Sequence, residues 1–230
     1  MKAEKPFFRG VRSGLPIALG YFPIAIAFGA LAGQAHLSWW EGTLMSLLVF
    51  AGASQFVGVS MLLSGAGAVQ IIATTFFLNL RHLIMSLAVN DQMRRFPAAW
   101  KNFLSFFITD ETFALLTLGD RTEGVTRTPA FMAGLMWTAY LGWVSGSALG
   151  GIGAEFIPPQ VTTAMTVGLY GLFIGLLVPP ARKSSGFALI AGASMLFNYA
   201  LGFVLDPGWA VVLSTVLAAA LGIPLLGEEM

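Results

Sequence analysis

Asn79, Arg81 and His82 put an amide, a permanent charge and a titratable ring into four positions of the apolar run FFLNLRHLIMS, residues 76–86. Further on, FITDETFAL (107–115) brings Asp110 and Glu111 together between Thr109 and Thr112. In the segment before the first cluster, FAGASQFVG (50–58) supplies Ser54 and Gln55. An ionisable group at the centre of a bilayer costs about 2.5 kcal/mol or more, so it usually faces a bundle interior, a partner or an aqueous cavity. The two clusters carry opposite charge and lie in consecutive segments, which predicts an ion pair from Arg81 to Asp110 or Glu111. His82, with an ordinary pKa of about 6.5, and a half-buried carboxylate can both exchange protons near neutral pH. Ser54, Gln55, Asn79, Arg81, His82, Asp110 and Glu111 are therefore candidates for substrate binding or proton coupling. Plainer readings stand beside this one. Arg81 near a helix end would snorkel to the lipid headgroups, His82 would be a packing histidine, and Asp110 and Glu111 would be solvated at a helix end.

The elements that must position these residues are helices in lipid. Of 230 residues 57% are hydrophobic and only 10% charged, and mean hydropathy is +0.79. Soluble domains carry about 25% charge, so the chain has too little polar surface to face water on all sides. A crossing needs about 20 mainly apolar residues. Residues 14–33, two stretches within 42–80 separated by SGAGA (64–68), and 129–150, 161–179, 185–205 and 208–226 qualify. An eighth segment, 102–119, is interrupted by Asp110 and Glu111, which predicts a broken or tilted helix. The expected fold is all-α: a polytopic membrane protein of seven or eight segments, forming one domain over 1–230 with a basic cytoplasmic lead at 1–12. The first apolar stretch is longer than the core of a signal peptide, so it reads as an uncleaved span.

Lys2, Lys5, Arg9 and Arg12 argue for a cytoplasmic N-terminus. Eight crossings would also place Arg121, Arg127, Arg182 and Lys183 inside but leave Arg94, Arg95 and Lys101 outside. A re-entrant piece within 42–89 would move those three inside and flip the later loops. AGAS occurs at 51–54 and 191–194, but the match decays within a few residues on either side. Gly142, Gly146 and Gly150, and Gly171 with Gly175, have the spacing that lets helix backbones approach closely. They serve either packing within the bundle or the docking of another subunit.

Several functions are excluded or disfavoured. There is no cysteine, so thiolate, disulfide and iron–sulfur chemistry are absent. There is no phosphate loop, HExxH or GxSxG motif, and His36 and His82 do not form a metal-ligand pattern. No cofactor or metal is expected, and the scattered basic residues form no nucleic-acid surface. Without a nucleotide site, any transport must draw on a gradient or on another protein.

FRGVRSGLPIALGYFPIAIAFGALA, LMSLLVFAGASQFVGVSMLL, TTFFLNLRHLIMSLAV and FITDETFAL occur in the order found in the AzlC family, which this chain resembles over roughly residues 8–120. Family members are large subunits of two-component exporters of branched-chain amino acids. The resemblance implies an inner-membrane permease that expels valine, leucine, isoleucine and in some members methionine. It also implies a small AzlD-type membrane partner and, by the usual assumption for the family, proton antiport. Two other classes compete. One is a membrane-embedded enzyme using Asp110, Glu111 and His82 as acid and base, which lacks a nucleophile constellation. The other is a non-transporting assembly subunit, which has little reason to bury so many polar groups.

Overall fold

The computed structural model describes residues 5–118, 128–205 and 207–226. Lys2, Arg121 and Arg127, used above for orientation, lie outside them. Among the described residues the chain is all helix. The order is α1 (Pro6–Gln34), α2 (Trp39–Val49), α3 (Gly52–Leu63), α4 (Ala68–Gln92), α5 (Ala98–Ser105), α6 (Asp110–Leu118), α7 (Pro129–Ile152), α8 (Pro159–Lys183), α9 (Ser185–Leu201) and α10 (Pro207–Leu226), with a 3₁₀ turn at Ala154–Phe156. α1 and α4 are each long and apolar enough to cross a membrane. The helix of α1 starts at Pro6, so most of the basic lead is already helical.

The frame is the pair α1 and α7. The two run parallel and touch backbone to backbone. Gly10 faces Phe131 and Leu135 near one end, and Gly150 faces Ile26 near the other. A Cβ on Gly150 would sit 2.1 Å from the Ile26 carbonyl oxygen, and one on Gly29 would sit 2.2 Å from that of Ser147. No side chain fits there, so small residues let the helices approach closely enough for dispersion to hold them. Gly142 and Gly146 lie on the same seam, against Ala18 and Ala25. These three glycines of α7 therefore serve packing within the chain. Gly171 and Gly175 differ, because among the described residues no heavy atom outside their own helix backbone lies within 4 Å of where their Cβ would be.

Two of the eight expected segments are hairpins. α2 runs against α7, with Trp39 beside Gly151, Ser46 bonded to Ser147 and the Phe50 ring against Tyr140. The chain then turns at Phe50, whose φ of 41° and ψ of 51° are left-handed. That conformation strains a bulky residue. Packing of the ring between Tyr21 and Tyr140 holds it in place. α3 returns the way α2 came: Gln55 reaches back to Ser46, and Phe56 packs on Phe28. Gly65, with φ of 74°, makes the turn into α4, within the break predicted at 64–68.

α4 descends the whole bundle. α5 and α6 then form the second hairpin, entering from the other end. The Ile108 carbonyl meets His82 in the middle of α4, while Gln92 at its end donates to the Leu116 carbonyl at 3.3 Å. Thr109 and Thr112 cap the turn between α5 and α6 reciprocally, with Thr109 N–H donating to the Thr112 hydroxyl at 2.9 Å. The broken helix predicted for 102–119 is thus present, and it folds back at its break.

α9 and α10 are antiparallel, with Gly222 against Ile190 and Asn198 near Ser214. Gly208, at the start of α10, packs on Gln70 and Thr74 near the start of α4.

Six long helices and two hairpins place the described basic residues Lys5, Arg9, Arg12, Arg94, Arg95, Lys101, Arg182 and Lys183 at the end of the bundle where α1 begins. Glu41 and Glu155 lie at the opposite end. The difficulty with Arg94, Arg95 and Lys101 under eight full crossings disappears. Because two segments turn back rather than one, the later loops do not flip.

The seam gives a direct test. Gly150→Leu should destabilise the detergent-solubilised protein by at least about 1–3 kcal/mol, as overpacking does, and lower its melting temperature. Gly171→Leu should leave the melting temperature within a degree or so of the parent, since overpacking needs a neighbour to meet.

Candidate functional site

The tips of the two hairpins meet half-way along the bundle and enclose a small cavity. Tyr21 and Ile24 of α1, Phe50, Ala51, Gly52 and Ala53 of the first hairpin, and Arg81 and His82 of α4 line it. Thr109, Asp110 and Glu111 of the second hairpin and Trp143 of α7 complete the wall. Its volume is about 30 Å³, room for about two water molecules.

The predicted ion pair is present and its partner is Asp110. Arg81 Nη1 lies 2.8 Å from Asp110 Oδ2, and the two side chains are 31% and 24% exposed. Arg81 stands near the middle of α4 rather than close to its end, so the headgroup-seeking alternative does not describe it. The 25 residues of α4 run on to Gln92, beyond the end near residue 88 that snorkelling would need.

His82 joins the same tip. Its Nδ1 lies 2.9 Å from the Ile108 carbonyl. Because a carbonyl only accepts, Nδ1 carries the proton and donates. Nε2 is buried without a hydrogen-bond partner.

Glu111 is handled differently from Asp110. Its carboxylate accepts from the hydroxyl of Tyr21, which also lies 2.8 Å from the Thr109 hydroxyl oxygen. The ion pairs found among the described residues are Arg81–Asp110 and the surface pair Arg94–Asp91. Glu111 therefore reaches a neutral hydroxyl where its neighbour reaches a cation.

The residues singled out from the sequence separate into two groups. Arg81, His82, Asp110 and Glu111 come together at the cavity. Ser54, Gln55 and Asn79 are not in its wall. Ser54 bonds back to the Ala51 carbonyl. Gln55 is bonded at both ends of its amide: its nitrogen donates to Ser46 at 2.9 Å, its oxygen accepts from Trp143 Nε1 at 3.0 Å, and Ser46 donates to Ser147 at 2.7 Å. This buried chain of neutral bonds, with the Tyr140 hydroxyl donating to the Leu47 carbonyl at 2.9 Å, ties the first hairpin to α7. Asn79 Oδ1 is buried and unpartnered. Among the described residues no group of His, Asp and Glu is arranged to hold a metal ion.

Tyr21 and Trp143 belong to the site although sequence reasoning passed over them. Their signal is modest: a buried Tyr or Trp needs a partner for its O–H or N–H, and both sit in charge-free runs where only distant polar residues can provide one.

The AzlC protein family profile matches residues 16–157. A membrane protein of Archaeoglobus fulgidus is 32% identical over 96% of this chain and 93% of its own length. The inner membrane protein YgaZ of Escherichia coli is 26% identical over 80% of this chain and 77% of its own. The branched-chain amino acid transport protein AzlC of Bacillus subtilis is 28% identical over 80% of this chain and 74% of its own. No solved structure matches.

Charge reversal tests the pair. Arg81→Asp or Asp110→Arg alone leaves like charges in contact and should cost up to about 3 kcal/mol of stability, as when a buried pair is broken. The double reversal should recover most of the loss in melting temperature. A double variant no more stable than either single would mean that the contact does not hold the hairpin to α4.

Proposed function

This chain belongs to the AzlC family of membrane proteins, and from that membership we propose that it is a secondary transporter exporting branched-chain and other hydrophobic neutral amino acids: valine, leucine, isoleucine and methionine. The observation that carries the reading is the cavity itself. It lies half-way along the bundle, is lined by the tips of both hairpins, and holds ionisable groups beside apolar ones. Irregular backbone at membrane depth is tolerated only where it lines such a cavity or is buried in protein. Broken helices meeting at a midplane site are a recurring transporter design.

Six helices cross and two hairpins re-enter, with both the N-terminus and the α4–α5 turn in the cytoplasm, as the distribution of Lys and Arg favours. The transporter works in the prokaryotic inner membrane as one domain, together with a small AzlD-type subunit. Export is driven by protons moving inward. Glu111 is the better carrier than Asp110: a carboxylate held by Arg81 must give up an ion pair to accept a proton, whereas Glu111 gives up only the bond from Tyr21. His82 and Asp110 line the same cavity as Glu111. The cavity offers about 30 Å³, whereas ligand sites run to roughly 300 Å³ or more, so a hairpin must move for an amino acid to fit.

Three measurements test the reading. Cells preloaded with labelled valine should release it faster when the chain and its small partner are both present, and deletion of either should abolish the difference. The chain has no cysteine, so single cysteines report topology cleanly. A membrane-impermeant maleimide added to intact cells should label Gly65→Cys and not Arg95→Cys, and the reverse pattern would invert the orientation. In an antiport, lowering the external pH increases the inward proton gradient, so wild-type export should rise as the outside is acidified. Glu111→Gln should flatten that dependence, whereas an unaltered profile would remove Glu111 from coupling.

A further inference from the structure

We propose that the Arg81–Asp110 bridge is the substrate clamp in its empty form. On binding, the α-carboxylate of a zwitterionic amino acid takes Arg81, and its α-ammonium takes Asp110. This rests on the amino acid transport reading above and adds which charges recognise the substrate and how.

Four observations meet at this pair. Both side chains line the cavity and neither is fully buried. The pair also joins two separate elements, the middle of α4 and the first residue of α6, so parting it enlarges the cavity without breaking a helix.

His82 supplies the third observation. Its Nδ1–H is used by the Ile108 carbonyl, which leaves the Nε2 lone pair buried and unpartnered in the cavity wall. Buried polar atoms without partners are few and call for a reason. An acceptor beside Asp110 suits an ammonium, which has three donors to place.

The fourth observation is the rest of the wall. Ile24, Phe50, Ala53 and Trp143 offer apolar contact for a side chain. The N-terminal ends of α3 and α6 also point into the cavity, where their dipoles favour a carboxylate.

Charge conservation explains why a zwitterion fits this site and single ions do not. At the bridge there is one neutral pair before binding and there are two afterwards, so the net charge of the site is unchanged while Glu111 keeps its bond from Tyr21. A substrate lacking its carboxylate leaves Arg81 unpaired, and one lacking its ammonium leaves Asp110 unpaired. An unpaired buried charge is heavily penalised. The device therefore selects α-amino acids by their main-chain groups and leaves the choice among side chains to the apolar wall.

Membrane vesicles carrying the chain with its small partner and labelled leucine provide the test. Leucine, leucine amide and N-acetyl-leucine share a side chain and differ in their charges. Each analogue should compete at least about tenfold more weakly than leucine, a modest share of what an unpaired partner in a polar site forfeits. Either analogue competing as well as leucine would overturn the clamp while leaving the transport reading intact. A wild-type protein that moves no leucine would overturn the transport reading and the clamp with it. The Arg81→Gln/Asp110→Asn variant carries a neutral pair at the same place. Its melting temperature and elution should match the parent, while leucine affinity falls at least about tenfold. Retained affinity would mark the bridge as merely structural. If that variant fails to fold, the analogue series on the wild-type protein decides alone.

Discussion

The backbone contact between α1 and α7 is the constraint on which the remaining architecture depends. Two parallel helices can lie this close only because glycines alternate along the seam, with Gly29 and Gly150 facing carbonyl oxygens at distances no side chain permits. In lipid the hydrophobic effect does not drive helices together, so close packing and hydrogen bonds must do it. The contact turns two spans into one rigid post. Tyr21 from α1 and Trp143 from α7 project from it at the same depth, where their rings lie 5.5 Å apart.

The two hairpins are held by different chemistry, the first to that post and the second to α4 as well as to Tyr21. The first is held by neutral bonds through Ser46, Gln55, Trp143 and Ser147, all buried, none of which responds to pH or to a charged ligand. The second is held by Arg81–Asp110, by His82 and by the Tyr21–Glu111 contact, each of which involves an ionisable group. Under the proposed coupling, a proton or a zwitterion would change the hold on the second hairpin and leave the first as it was. This asymmetry makes the hairpin entering from the N-terminal end the natural moving part. It also gives substrate and proton the same lever, which is what coupling requires.

Much of this could be read from the residue types, and the limits of that reading are physical. Arg81, His82, Asp110 and Glu111 declared themselves because charge in an apolar run is costly wherever it falls. The partner of Arg81 was narrowed to two carboxylates but not to one, since adjacent residues on a tip differ only in where the tip points. SGAGA announced the turn at Gly65, whereas a re-entrant piece within 42–89 was only one of two alternatives and nothing in Phe50 itself placed the turn there. A left-handed phenylalanine is set by the rings around it and by nothing in its own neighbourhood. That the segments turn back rather than cross follows from contacts such as Gln92 with Leu116 and Gln55 with Ser46, which hydropathy does not encode. Gln55 looked like a binding residue for the same reason as Arg81, yet its polarity is spent on the frame.

The depth of the hairpins has an electrical consequence. α5 is 8 residues long, roughly 12 Å of helix at 1.5 Å per residue, so its tip stands a little under half-way through a hydrocarbon layer of about 30 Å. An elementary charge crossing the whole membrane potential exchanges about 2.3 kcal/mol per 100 mV. Under the proposed antiport, a proton arriving at Glu111 from the far side would travel part of that field before any hairpin moves, and would complete the drop only on leaving toward the N-terminal side. A zwitterion, being neutral, crosses the same field at almost no electrical work. Membrane voltage therefore acts on the coupling ion and hardly at all on the cargo, dividing its pull between the two sides of a site set near mid-depth.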